Sequence, residues 1–174
     1  MNNLIKLVNG APSIVDNDPW NLLVDNTEPR PAGPLILPLR MWLERQDDAT
    51  QRGERFSLEG ICLAPDDEVA SVEPYLAVVP LIAIDFPSFR DGRGYSQAYL
   101  LRTRLGWRGE LRAVGDVLRD QLSHMRQCGF DAFAVREDKS VEDALKGLAG
   151  MSVLYGRSAI EPRPLFRRRS GGPG

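Results

Sequence analysis

The sequence has little of the residue types that most metal and nucleophilic sites need. It contains one histidine and two cysteines in 174 residues, and Cys62 and Cys128 lie far apart in the chain. A structural zinc or iron–sulfur site takes about four ligands, so the chain is short of donors for either. Without a second histidine, triad catalysis through histidine is also poorly supported. We therefore expect reduced thiols and no evident metal or cofactor.

The sequence also lacks long apolar runs and a strong net charge. No stretch approaches the ~20 apolar residues that cross a bilayer, and the first residues show no basic segment followed by an apolar core. The formal net charge of −2 gives no indication of general binding to nucleic acid or to anionic membranes. These absences predict a cytoplasmic protein with neither a membrane nor nucleic acid as its partner.

What is present is the composition of an ordinary globular domain, with 43% hydrophobic and 26% charged residues. A chain of this length supplies one substantial core. We predict a single α/β domain over residues 1–150, followed by an irregular basic C-terminal tail over residues 151–174. Within the domain, Asn9-Gly10 between short apolar runs predicts an N-terminal β-hairpin over residues 4–24. The proline-rich residues 25–34 are predicted to form a connector.

The central part of the chain alternates apolar runs with helical patterns. The runs Leu81–Ile84, Leu111–Val114 and Ala132–Val135 are separated by segments whose apolar residues recur at helical spacing. This alternation is typical of βαβ units. It predicts a mostly parallel sheet of about four to five strands with helices on both faces. The alternative is a partial βα barrel, which would leave the same loops at the same end of the strands.

Ligands of parallel sheets bind at the carboxyl ends of the strands, so the residues that follow the apolar runs are candidates for a site. Arg90-Asp-Gly-Arg-Gly94 could hold an oxyanion, because glycines let the backbone approach an anion and arginines bind it through two hydrogen bonds. It matches neither a dinucleotide fingerprint nor a Walker loop. The alternative is a turn in which Asp91 caps the next helix. The candidate ligand-binding residues are Asp85, Arg90, Asp91, Arg93, Ser96, Gly115 and Asp116.

Two other features have alternative interpretations. Asp116 most simply caps the helix that follows it. The functional alternative is that Asp116 faces Asp85 across a crevice and shares acid–base catalysis or ligand binding with it. Trp107 and Arg108 lie at the opposite end of the predicted sheet, where an exposed indole would mark a contact with a partner protein. Whether the chain is an enzyme is undecided by these patterns.

Three segments carry a resemblance to a known family. Residues 89–102, 109–122 and 128–133 resemble a bacterial domain-of-unknown-function family whose members are often encoded beside the haemoprotein of assimilatory sulfite reductase. The resemblance implies a role in sulfur assimilation and cysteine biosynthesis, as an accessory protein that docks on sulfite reductase and supports its assembly or electron supply. The resemblance identifies no catalytic residues in this sequence. The alternative is a small enzyme or binding domain that holds a sulfur oxyanion or a phosphate at the loop from Arg90 to Arg93.

Overall fold

Eight strands form one continuous sheet in the computed structural model, which describes residues 1–25, 29–54 and 58–149. The strands are β1 (Leu4–Val8), β2 (Ala11–Val15), β3 (Asn21–Leu22), β4 (Leu35–Pro38), β5 (Gly60–Leu63), β6 (Leu81–Phe86), β7 (Glu110–Gly115) and β8 (Ala132–Ala134). The α-helices are α1 (Leu39–Gln51), α2 (Arg93–Thr103), α3 (Leu122–Cys128) and α4 (Val141–Ala149). Short 3₁₀ segments cover Val69–Tyr75 and Arg119–Gln121.

The strand order across the sheet is β2-β1-β8-β7-β6-β5-β4-β3. Strands β3 to β8 therefore lie side by side in chain order, and each is parallel to the next, while β1 runs antiparallel to both β8 and β2. The sheet curls into a half-barrel. The prediction of an α/β domain is confirmed. The sheet has more strands than predicted, and its curl agrees with the alternative prediction of a partial βα barrel.

The α-helices that the structure describes pack on one face of this sheet. Alternate strand residues such as Ile82 and Ile84 share the larger apolar cluster with buried residues from all four helices, including Trp42, Leu101 and Leu122. The smaller cluster, on the concave face, consists of strand residues and N-terminal residues without any α-helical member. The prediction of helices on both faces is wrong. Right-handed crossovers between strands in sequential order bring each helix to the same side.

The N-terminal hairpin is confirmed, with a shorter extent than predicted. Asn9 and Gly10 have φ of 52° and 80°, and Val8 pairs with Ala11, which defines a two-residue turn of the type that Asn-Gly favours. The hairpin ends at Val15, because the chain then leaves for the far edge of the sheet. Pro12 on the outer strand has no N–H to offer, which disfavours pairing with a further strand.

Residues 16–20, here called the crossing segment, connect the two edges of the sheet across its concave face. β2 is the strand at one edge, and β3 is the strand at the other. In the middle of this path, Asp18 is 8% exposed and receives hydrogen bonds from both terminal nitrogens of Arg112, at 2.8 and 3.1 Å. Arg112 belongs to β7, is fully buried, and also donates to Glu110 at 3.0 Å. This ion pair fixes the crossing segment to the sheet.

Several predicted boundaries concern residues outside the described ranges. The basic tail at 151–174 and residues 26–28 of the predicted connector fall there. Of the helix ends that are described, Gly129 closes α3 in the left-handed region with φ 113°, as its position after the helical pattern indicates. None of the described helices combines the length and apolar character needed to span a membrane.

Candidate functional site

The loops that follow β6, β7 and β8 are joined by four residues, here called the strand-end network: Phe89, Asp116, Gln121 and Arg136. The carboxylate of Asp116 accepts a hydrogen bond from the backbone N–H of Phe89 at 2.7 Å and another from Arg136 at 2.8 Å. The side-chain amide of Gln121 donates to the carbonyl oxygen of Phe89 at 2.7 Å. Three successive βα-loops are thus held in one arrangement at the carboxyl ends of the strands.

Asp116 does not cap a helix, because α3 begins only at Leu122, after the 3₁₀ turn. The turn at this strand end is set by Gly115, whose φ is 92°, and by the backbone N–H of Asp116, which donates to the carbonyl of Phe86 at 2.7 Å. The capping prediction is wrong for this reason. The carboxylate instead points across to the neighbouring loops.

The arginine loop pairs internally with carboxylates. Two nitrogens of the Arg93 guanidinium donate to Asp91 at 3.0 and 2.7 Å, and a third donates to Asp66 at 2.6 Å. The hydrogen bonds from Arg93 lower the pKa of Asp91 to about 2. Asp91 also accepts from the backbone N–H of Arg93, as the turn alternative requires. The charge of Arg93 is therefore committed within the protein, and the oxyanion interpretation of this loop loses its main donor.

The tip of the same loop presents an aromatic ring and a guanidinium to solvent. Phe89 is 45% exposed, and the Arg90 guanidinium lies 5.4 Å from the centre of its ring. The backbone N–H of Arg90 donates to the Ser88 hydroxyl at 3.2 Å, whereas its guanidinium makes no hydrogen bond or ion pair with any residue in the described ranges. Ser96 is exposed in the first turn of α2. The loop thus offers an apolar ring flanked by an uncommitted positive charge.

Asp85 lies on the concave face at the end of β6. Its carboxylate makes no hydrogen bond or ion pair with the described part of the chain, and burial, followed by the nearby charge of Asp91, raises its pKa above the usual 3.8. A Cβ on Gly115 would lie 2.5 Å from Asp85 Oδ1, so the glycine lets the carboxylate rest against the backbone of β7. Asp85 and Gly115 are therefore adjacent, as predicted for strand ends.

Cys62 is a second titratable group on this part of the concave face. Burial, together with the charge of Asp85, raises the pKa of the Cys62 thiol to about 12, so the thiol stays protonated and is a poor nucleophile. No three His, Cys, Asp or Glu side chains in the described ranges are placed to hold a metal ion. The site therefore offers carboxylates rather than a thiolate or a metal centre.

Replacing Asp85 by Asn should stabilise the folded protein at neutral pH. A raised carboxyl pKa means that the folded state binds the proton more tightly than the unfolded state does, so stability falls as the pH rises through the folded pKa. The neutral amide removes this cost. We expect a gain of less than about 1 kcal/mol, because solvent screens a partly exposed carboxylate. Thermal unfolding at pH 7 and near pH 4 measures it: the gain should be larger at pH 7, and a loss at pH 7 would contradict the assignment.

An open groove of about 710 Å³ lies between the crossing segment and the ends of β7 and β8. It opens on the concave face, between the edge strand β3 and the ends of β7 and β8. Its lining residues are Met1, Asn2, Trp20, Asn21, Leu22, Val114, Gly115, Ala134, Val135, Arg136, Glu137 and Asp138. Gly115 brings the groove next to Asp85.

Trp107 is only 5% exposed, with its indole N–H donating to the carbonyl of Glu110 at 3.3 Å. The backbone around it is bound by Arg102, which donates to the carbonyls of Trp107 and Gly109 at 2.9 and 2.8 Å. Arg108 is exposed. The prediction of a partner contact here required an exposed indole, and the structure places that indole in the core.

The geometry defines an α/β half-barrel with hydrogen-bonded strand-end loops, an exposed aromatic ring at Phe89 and a groove on the concave face. A family model for a bacterial protein of unknown function (DUF934) matches residues 60–166, which is more than half of the chain. The chain belongs to this family, and the resemblance found in the sequence is confirmed at that level. No curated protein and no solved structure matches the chain.

Proposed function

We propose that this protein is an accessory protein of assimilatory sulfite reduction, which docks on sulfite reductase and supports its assembly or electron supply. The resemblance described above suggests the partner. The observation that supports docking is the exposure of Phe89. Its large apolar ring is 45% exposed, while the N–H and C=O groups of its backbone are hydrogen-bonded to Asp116 and Gln121.

A ring presented in this way suits a protein contact. Aromatic residues and arginine are enriched among the residues that dominate binding energy. A side chain on a loop that is already ordered loses less conformational entropy on association. Phe89 would enter an apolar pocket of the partner, and Arg90 beside it would meet a carboxylate at the pocket's rim. Both side chains are available, because the Phe89 ring is exposed and the Arg90 guanidinium makes no hydrogen bond or ion pair within the described structure.

An oxyanion-binding function for the same loop is the weaker candidate. Arg93 is paired with Asp91 and Asp66, and displacing these carboxylates would leave two negative charges facing the incoming anion. Among the loop arginines, this leaves Arg90 at the exposed tip, where solvent screens a single ion pair. The loop is therefore better suited to contact a surface than to enclose a sulfur oxyanion.

The proposal is tested by a pull-down from the native host with the tagged protein, read by mass spectrometry and by haem absorbance. We expect stoichiometric recovery of the sulfite reductase haemoprotein, and none on a matched resin that carries an unrelated tagged protein. Absence of the haemoprotein in both low and moderate salt would count against stable docking and hence against the proposed function.

Asp116 should act as a positioning residue for Phe89. Replacing Asp116 by Asn removes the charge that accepts from the Phe89 N–H and from Arg136, so we expect a loss of about 1–2 kcal/mol in the free energy of unfolding. Hydrogen exchange at the Phe89 amide should become faster relative to amides of the β6 core. A purely global effect, in which loop and core amides change together, would contradict a local positioning role. Asp47, exposed on α1, provides the matched Asp→Asn control.

A further inference from the structure

The groove on the concave face has the features of a binding site for a small molecule. Its volume of about 710 Å³ lies within the range of small-ligand pockets. Leu22, Val114 and Ala134 give it an apolar surface, and all three belong to the concave-face cluster. This surface is not used by the strand-end network or by the exposed ring of Phe89.

Trp20 supplies an aromatic wall with an available donor. It belongs to the concave-face cluster and lines the groove, and within the crossing segment its backbone N–H donates to the Asp18 carboxylate at 3.3 Å. Its indole N–H makes no hydrogen bond with any residue that the structure describes. An indole face attracts cations through its quadrupole, and the N–H remains free to bond a ligand.

The uncommitted charge around the groove is negative. Arg136, the one arginine in its lining, donates to Asp116 at 2.8 Å and to both carboxylate oxygens of Asp138 at 3.0 and 2.8 Å. Glu137 lines the groove, and Asp85 lies against Gly115 at its edge. Neither of these two carboxylates makes a hydrogen bond or an ion pair within the described ranges. The Met1 ammonium also lines the groove, but it donates to the carbonyls of Asp18 and Trp20 at 2.8 and 3.1 Å. A ligand of positive charge therefore finds free carboxylates here, whereas both cationic groups of the lining are already hydrogen-bonded.

We propose that the groove binds a small organic cation that carries an apolar body. The positively charged nitrogen donates to the carboxylate of Asp85, with Glu137 adding attraction from the rim. The apolar body lies on Val114 and Ala134 and against the indole of Trp20. This site is separate from the docking surface at Phe89. The proposal of a cation site therefore does not depend on the sulfite reductase partner.

The charge requirement is tested with three probes that share an indole and differ in charge: tryptamine, tryptophol and indole-3-acetate. Each is titrated into ¹⁵N-labelled full-length protein, and the Trp20 indole signal, assigned with Trp20→Phe, is followed by NMR. Tryptamine should bind saturably and shift this signal. Tryptophol should bind more weakly, on the order of tenfold, because a charge-assisted hydrogen bond is lost. Indole-3-acetate should not bind.

The residue requirement is tested with Asp85→Asn, which keeps the shape and removes the charge. It should weaken tryptamine binding by on the order of tenfold, while Asp47→Asn on α1 should leave the affinity unchanged. Asp85→Asn is expected to remain folded, so a loss of binding is not a loss of structure. Equal binding of the three probes, an unmoved Trp20 signal at millimolar tryptamine, or an Asp85→Asn affinity equal to wild type would each overturn the proposal.

Discussion

Replacing Asp18 by Asn should lower the free energy of unfolding by about 3 kcal/mol, the cost of leaving a buried charge without its partner. Arg112 is fully buried and loses the carboxylate that accepts hydrogen bonds from both of its terminal nitrogens. Glu110 remains bonded to Arg112 and limits the loss. Because Asp18 also fixes the crossing segment, the variant should expose Trp20 to solvent. Urea unfolding followed by tryptophan fluorescence measures the change.

A double-mutant cycle separates the ion pair from general packing. Arg112→Met alone should cost a similar amount, since Asp18 is then a buried carboxylate without its arginine. The combined variant, Arg112→Met with Asp18→Asn, should be less destabilised than the sum of the two single variants, by at least about 1.5 kcal/mol. Additive effects would show that the two residues do not act as a pair.

The same contact predicts a dependence on pH. Burial raises the pKa of Asp18, but the hydrogen bond and the charge of Arg112 together outweigh it, so the pKa is lowered from the usual 3.8. The resulting stabilisation is present above the unfolded pKa and is lost as the pH falls through the lower folded pKa. Between about pH 5 and about pH 2, the melting temperature of the wild type should therefore fall more steeply than that of Asp18→Asn. Parallel curves would contradict this origin.

Replacing Gly115 by Ala should cost about 2–4 kcal/mol, because backbone strain and a steric clash add. Gly115 has a φ of 92°, and an added Cβ would lie 2.5 Å from both the carbonyl oxygen of Phe86 and Asp85 Oδ1. The carbonyl belongs to the neighbouring strand and cannot move alone. Both the turn into the strand-end network and the position of Asp85 should be disturbed. Denaturant unfolding gives the loss.

Gly53 provides the control for this substitution. It also has positive φ, at 71°, but an added Cβ would meet no atom within 4 Å. Gly53→Ala therefore carries the backbone strain without the clash, which amounts to about 1–2 kcal/mol. Equal losses for the two variants would show that the close approach at Gly115 is not what makes glycine necessary there.

The sequence is sufficient to predict the parts of the fold that depend on local patterns. Asn9-Gly10 predicts the hairpin because its turn needs positive φ at both residues. The apolar runs predict β6, β7 and β8, since each is a short buried strand followed by a turn and a helix. These features depend on neighbouring residues, and the structure confirms them.

The curl of the sheet and the crossing segment depend on contacts that no local pattern shows. Asp18 and Arg112 are 94 residues apart in the chain. Arg112 lies within an apolar run, at a buried position of β7. An unpaired charge is prohibitively costly there, so the arginine needs a carboxylate partner. The sequence alone does not show which carboxylate that is. The strand order, and with it the placement of the helices on one face, follows from such long-range pairings.

The sequence predicted which residues lie together at the strand ends, but it did not predict how their charges are paired. Asp85, Gly115 and Asp116 lie close together at the strand ends, as parallel strands require. Sequence reasoning could not show that Arg93 is bound by Asp91 and Asp66, and it therefore treated a paired guanidinium as a donor for an anion. Phe89 was overlooked as a contact residue, although an aromatic ring between polar residues in a strand-end loop is a usable signal.

The docking role of Phe89 is tested most directly by equilibrium binding between the purified protein and the purified sulfite reductase haemoprotein. Wild type and Val8→Ala, whose exposed side chain lies next to the hairpin turn, should bind with equal affinity. Phe89→Ala should bind at least about 30-fold more weakly, which corresponds to the roughly 2 kcal/mol of a dominant interface residue. Saturable binding with this pattern supports the proposed function. Undiminished binding by Phe89→Ala, or no binding by the wild type, would contradict it.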